Sequence, residues 1–193
     1  MRAVLVDVPE SLLEERRKAG ADVWDEVWEG VLHMVPAPSG RHQRFGLRLA
    51  AALLPVAEQE GLVVSYETAL YRPGVGDRDY RVPDLVFART DHASDRGVEG
   101  RAELVVEILS PGDETYDKLD FYREVGVQEV LIANPESCTV ELFVLRANRL
   151  RPVAPDSSGS VSTNALGVSL LTVDGPALRL SWPSGAADIT GHA

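Results

Sequence analysis

Apolar residues in this chain fall into short, β-branched runs separated by polar connections bearing Gly and Pro, with a few stretches of helical period among them. Leu85 to Phe87 and Leu104 to Leu109 are short and β-branched, which predicts two strands buried in the centre of a sheet. Gln128 to Ala133 predicts a third buried strand, reached through a helix over Tyr116 to Val125, so this strand-helix-strand unit should cross over right-handedly. A long helix is expected from Ser39, its N-cap, to about Gly61. Leu47, Leu49, Leu53 and Leu54 supply its apolar side, and Pro55 should kink it. A shorter amphipathic helix is expected over Pro9 to Lys18, closed by Ala19-Gly20.

The other segments read as β-structure and turns. Val23 to Trp28 and Val31 to Val35 form a hairpin around a two-residue Glu29-Gly30 turn. Leu62 to Glu67 and Thr68 to Tyr71 read as strands, and Thr139 to Leu145 pairs with Leu150 to Val153 in a second hairpin. Arg72 to Arg81 and Asp91 to Arg101 read as polar loops, Pro155 to Ser162 as a polar turn, and Val168 to Val173 with Ala177 to Leu180 as a β-rich edge. Ser184 to Ala193 is expected to be a frayed tail. The sum is one α/β domain over residues 1–193, with a central mixed β-sheet flanked by helices and additional β-hairpins.

Composition narrows the function classes. With 45% hydrophobic and 25% charged residues in 193, the chain reads as an ordinary soluble domain with room for a core. No run approaches the roughly 18–20 apolar residues of a membrane span, and Met1 to Leu13 lacks a basic start followed by an apolar core, so a cytoplasmic protein without membrane contact is expected. The single cysteine, Cys138, excludes an intramolecular disulfide and a thiolate zinc cluster. The glycines between Arg72 and Arg81 lack the spacing of a nucleotide-binding loop. A net charge of −11 and a pI near 4.8 argue against a dedicated nucleic-acid binder, whose surface is ordinarily basic. Arg41, Arg44 and Arg48 nonetheless recur at i, i+3, i+7, either as a stripe that tracks phosphates or as a solvated helix face.

Two carboxylates stand where apolar residues belong. Asp84 opens its strand behind Pro83, and Glu107 interrupts Val105-Val106-Glu107-Ile108-Leu109. A buried carboxylate needs a metal ion or a cation against it. Lys118 is the candidate partner, sharing a helix face with Tyr122 and Val125 by i, i+4, i+7 spacing. Two acids about 4 Å apart repel by roughly 4 kcal/mol at an effective dielectric near 20, which favours a cation between them. Such a set suits phosphodiester hydrolysis: the carboxylates hold a hard divalent ion and the lysine offsets charge in the transition state. The plainer alternative makes Asp84 an acceptor for a nearby backbone amide, and Glu107 and Lys118 a structural ion pair.

Pro83-Asp84, Glu107-Ile108-Leu109-Ser110-Pro111, Asp117-Lys118, Tyr122, Gly126-Val127 and Asn134-Pro135 together resemble the PD-(D/E)XK nuclease superfamily, and within it the Uma-two type family of restriction-endonuclease-like proteins. Glu29-Gly30, the Pro/Ser segment after it and His42 at the head of the long helix extend the resemblance to roughly residues 10–180. It implies a restriction endonuclease-like core. It also implies a Mg2+- or Mn2+-dependent endonuclease acting on DNA, in which Asp84, Glu107 and the Ile108 carbonyl hold the metal and Lys118 is the superfamily's lysine moved onto the following helix. Glu29, His42 and Tyr122 are possible additions to the site. Nucleases that cut both strands are by default symmetric, which leads to an expected homodimer or higher homo-oligomer. Two competing readings are a nuclease fold without catalysis that serves assembly or partner binding, and a metal hydrolase for RNA or small nucleotides on the same scaffold.

Overall fold

Leu104–Ile108 and Glu129–Ala133, every residue of both buried, lie side by side in parallel at the centre of a six-stranded sheet. The computed structural model describes residues 3–5, 9–20, 22–112 and 114–191. The first part of the chain gives β1 (Ala3–Leu5), α1 (Glu10–Ala19), β2 (Glu26–Trp28), β3 (Val31–Met34), α2 (Gly40–Gln59), β4 (Val63–Tyr66) and β5 (Leu70–Tyr71). The middle adds β6 (Tyr80–Arg81), β7 (Leu85–Ala88), β8 (Ala93–Ser94), β9 (Gly97–Glu99), β10 (Leu104–Ile108), α3 (Leu119–Val125) and β11 (Glu129–Ala133). Then come β12 (Val140–Arg146), β13 (Arg149–Pro152), β14 (Val161–Ser162), β15 (Ser169–Val173), β16 (Ala177–Trp182) and β17 (Gly185–Ile189).

The central sheet runs β13-β12-β11-β10-β7-β4, with the β10–β11 pair parallel and the others antiparallel. That makes it mixed, as the pattern of elements predicts, and α3 is the connection that a parallel pair requires. Alternation along β10 divides its side chains between two cores. Leu104, Val106 and Ile108 pack with Phe45, Leu49 and Leu53 of α2, whereas Val105 packs on the opposite face with Phe121, Tyr122 and Val125. Glu107 shares the Val105 face, so a period of two sends its carboxylate toward α3.

A second sheet, ordered β1-β3-β2-β6-β5-β9-β8, carries the hairpin whose turn residues Glu29 and Gly30 both have positive φ (50° and 87°), as a two-residue turn of this hand requires. A third, β14-β15-β16-β17, covers the α2 side of the central sheet with Val161, Leu170, Leu178, Leu180 and Ile189. Glu129 ties the central sheet to the loop between β14 and β15 of this third sheet. Buried at the start of β11, its carboxylate accepts from the Asn164 backbone and side-chain amides and from Ala165 N at 2.6–2.9 Å.

Several expectations are corrected. Leu47 and Leu54 are exposed, and the buried face of α2 is Phe45, Leu49, Leu53, Val56 and Ala57, set one step round the helix. Lys118 lies in a 3-10 turn, Thr115–Lys118, that leads into α3 rather than in the α-helix itself. The Asp91 to Arg101 loop contains the short strands β8 and β9. The tail is not frayed through residue 189: β17 pairs with β16 over five residues, and Ile189 is buried. Residues 192 and 193 of that segment, and residues 1, 2 and 6–8 of the N-terminal stretch, lie outside the described residues. Among the described residues, no helix is long and apolar enough to cross a membrane.

Candidate active site

The antiparallel register of β7 and β10 pairs Leu85 with Val106, and one step further along it sets Asp84 opposite Glu107. Pro83 precedes Asp84 and the fully buried β7 follows it, so the carboxylate emerges at the sheet end with little freedom. Asp84 Oδ2 accepts from Ile108 N at 2.6 Å, and Oδ1 lies 3.2 Å from His42 Nε2. His42 is brought there by α2, whose first turn is capped by Ser39 Oγ accepting from His42 N at 3.3 Å. Burial works against the imidazolium, but hydrogen bonding and charge attraction from Asp84, with help from the Ile108 carbonyl and Glu67, outweigh it, and the His42 pKa is raised above 6.5. Its Nδ1 is buried and has no hydrogen-bond partner among the described residues.

Glu107 is 4% exposed and accepts three hydrogen bonds from two groups. Lys118 Nζ donates to Oε1 at 3.1 Å and to Oε2 at 3.4 Å, and the Tyr122 hydroxyl donates to Oε1. Lys118, Tyr122 and Val125 do share one face, and Gly126 in the left-handed conformation ends α3 directly after them. Lys118 also meets a third carboxylate, Glu26 Oε1, at 2.8 Å. Glu26 is held in turn by Val82 N on Oε1 (2.8 Å) and by Trp28 Nε1 on Oε2 (2.7 Å). Trp28 is stacked between His33 (centroids 4.1 Å apart) and the Arg81 guanidinium (4.3 Å), which fixes the indole.

The electrostatic consequence is an acid surplus around one ammonium. Burial pushes the Glu107 pKa up, the Lys118 charge pulls it down, and Asp84 and Glu26 push it up again, so the net direction is upward. Lys118 moves the other way from what burial alone dictates: Glu107 and Glu26 together keep its amine protonated, with a pKa above its usual value. The two shifts agree once the groups are counted. One cation satisfied by two carboxylates stays charged, and the carboxylate that also faces Asp84 is left undercompensated.

These groups line one cavity of about 340 Å³, together with Trp24, Trp28, His33, Glu67, Ser110, Glu114 and the 34–39 segment. Asp84, Glu107, Ile108, Lys118 and His42 all line it; Tyr122 reaches it only through Glu107, and Glu29 does not line it. Glu29 lies at the exposed hairpin turn, its N–H donating to Asp79 at 3.2 Å. The acid that this hairpin delivers is Glu26, and its signal in the sequence is alternation: Glu26 and Trp28 share a face, with an indole N–H next to a carboxylate. Glu67, with φ 46° at the end of β4, is a second unforeseen acid in the cavity, accepting from Trp24 Nε1 at 2.8 Å and from Gln43 Nε2. His33 and Glu114, 3.1 Å apart, also line the cavity, and neither carries a signal in the sequence. Among the described residues, no group of three His, Cys, Asp or Glu side chains is arranged to hold a metal ion by itself.

The family model Uma2, described as "Putative restriction endonuclease", matches residues 13–174. The structure is similar to that of a "putative nuclease belonging to DUF820" from Anabaena variabilis ATCC 29413, with a TM-score of 0.59 and 18% identity over 74% of this chain and 83% of that one. It is much less similar to a chain of a DrdV–DNA complex, with a TM-score of 0.31 and 12% identity over 58% of this chain and 12% of that one, too slight a likeness to argue from. No curated protein matches the chain.

Proposed function

Because the chain belongs to the Uma2 family of restriction-endonuclease-like proteins, we propose that it hydrolyses DNA phosphodiester bonds as a Mg2+- or Mn2+-dependent endonuclease, using Asp84, Glu107 and Lys118. The observation that carries this reading is the meeting of two strand-borne carboxylates and one ammonium in a single cavity at a sheet end. The donor set fits a hard divalent ion. Mg2+ is commonly held by one or two carboxylates, with water and substrate phosphate completing its shell, so two acids and a carbonyl suffice without a third side chain. Asp84, Glu107 and the Ile108 carbonyl would hold such an ion, since both carboxylates are buried side by side at the cavity. When bound, the ion polarises the phosphate and lowers the pKa of a water molecule.

The chain's own groups supply the rest. Lys118, held protonated, offsets the charge that builds on the phosphate oxygens, and the Tyr122 hydroxyl fixes the Glu107 rotamer by donating to it. His42 orients Asp84 from the side away from Ile108 N. A second reading, a nuclease fold without catalysis, is favoured by one observation: Glu107 already has Lys118 and Tyr122 as partners, and Asp84 already has Ile108 N, as the plainer alternative for these residues expects.

Nicking of supercoiled plasmid in Mg2+ or Mn2+ separates the two. The wild type should nick, and Asp84→Ala, Glu107→Ala and Lys118→Ala should each lose about 100-fold or more. Equal activity in all four preparations, or none in the wild type, would overturn the nuclease reading.

A further inference from the structure

Building on the metal-dependent reading above, we propose that Glu26 is a positioning residue that takes sole hold of the Lys118 ammonium when Glu107 receives a divalent cation. Lys118 Nζ lies between two acceptors, Glu26 Oε1 at 2.8 Å and Glu107 Oε1 at 3.1 Å. An ammonium and a divalent ion at contact distance from the same carboxylate repel strongly where water is scarce. Lys118 must therefore yield Glu107 or keep the cation out.

Glu26 provides the place to yield to. It is 2% exposed, and its two oxygens are tied to Val82 N, two residues before Asp84, and to the Trp28 indole. With Trp28 packed against both His33 and Arg81, the hydrogen bonds to Trp28 and Val82 hold Glu26 in place. The lysine's flexible four-carbon stem makes the small adjustment instead. Its charge thus stays in the cavity beside Asp84 and Glu107 rather than swinging to solvent. Without the Glu26 charge, Lys118 remains on Glu107 and competes with the incoming cation.

The test is Mn2+ titration calorimetry on the full chain for the wild type, Glu26→Gln, Lys118→Met and the double variant, with thermal unfolding as the control for folding. Glu26→Gln should weaken Mn2+ binding by roughly tenfold, the scale of a close charge coupling, and adding Lys118→Met should bring affinity back to within about threefold of Lys118→Met alone. Glu26→Asp keeps the charge but withdraws it by one methylene; it should weaken binding in the same direction and be rescued in the same way. Unchanged affinity in both Glu26 variants overturns the proposal, as does an equal loss with and without Lys118, which would make Glu26 a ligand or a simple source of negative charge. Absence of Mn2+ binding by the wild type overturns the metal-dependent reading and this proposal with it, whereas binding that ignores Glu26 overturns this proposal alone.

Discussion

Ile108 N donates to Asp84 Oδ2 at 2.6 Å, so the strand that carries one candidate ligand holds the other by its backbone. The separation of the two acids is thereby set by strand register and not by side-chain rotamers alone. Asp84→Asn keeps an oxygen for that amide and removes the charge: the fold should persist while Mn2+ binding and nicking are lost. Asp84→Ala strands a buried N–H and should cost about 1–3 kcal/mol, read as a drop of several degrees in Tm.

Glu107 gives a pH prediction of definite sign. Its folded pKa lies above the ordinary 4.5, so between the two values the native state binds a proton that the unfolded chain does not. Its contribution to stability is therefore present at low pH and lost as pH rises through the folded pKa. In metal-free protein, Glu107→Gln, which cannot titrate, should gain on the wild type by about 1–3 kcal/mol at pH 8, and the gain should shrink toward pH 5. Denaturant unfolding at the two pH values measures it.

Asp79 behaves in the opposite sense. Burial raises its pKa, but hydrogen bonds and charge from Arg72 and Arg81 and the Glu29 N–H outweigh burial, and the net shift is below 3.8. Its stabilisation is present above 3.8 and lost as pH falls through the lower folded pKa. Asp79→Asn should be less stable than the wild type at pH 7 by about 1–3 kcal/mol, with the deficit closing in strong acid. A deficit independent of pH would sink this account.

Glu129 serves as a control for the argument about misplaced acids. Like Glu107, it is a carboxylate in an apolar strand, but three amide donors from residues 164 and 165 satisfy it. Glu129→Ala should destabilise by about 2–4 kcal/mol through the lost amide contacts and leave Mn2+ affinity unchanged. A change in Mn2+ affinity without a change in Tm would contradict that role.

The comparison of Glu107 with Glu129 shows how far the sequence carries. Glu107 interrupts an apolar run and stands out on that ground, whereas Glu129 follows Gln128 at the head of its strand and gives no such signal, yet both are buried and both have compensating partners. What local sequence does not reveal is whether the partner is an ammonium eleven residues on or amides thirty-five residues on. The central strands and the helical segment before β11 are legible from local periodicity, whereas the meeting of Asp84, Glu107 and Lys118 is expected chiefly from the family resemblance, because the chain between the two acids passes through β8 and β9 of another sheet. Glu26 and Glu67 were not, because their entry into the cavity depends on how one sheet folds over another. Leu47 and Leu54 lie off the buried face of α2 because leucine spacing alone leaves the phase open, while Phe45 fixes it. The last strand leaves little trace in the sequence because Gly185-Ala186-Ala187-Asp188-Ile189 pairs through its backbone and carries few apolar side chains.

Trp24 and Trp28 both line the cavity, Trp28 stacked on His33 and hydrogen-bonded to Glu26, and Trp182 is the third and last indole in the chain. Two-thirds of the natural fluorophore therefore looks into the place where ions and oligonucleotides are expected to arrive. Intrinsic emission should report occupancy of the cavity directly, with no dye attached and no turnover needed, and Trp28→Phe should silence most of the Glu26-linked part of that signal.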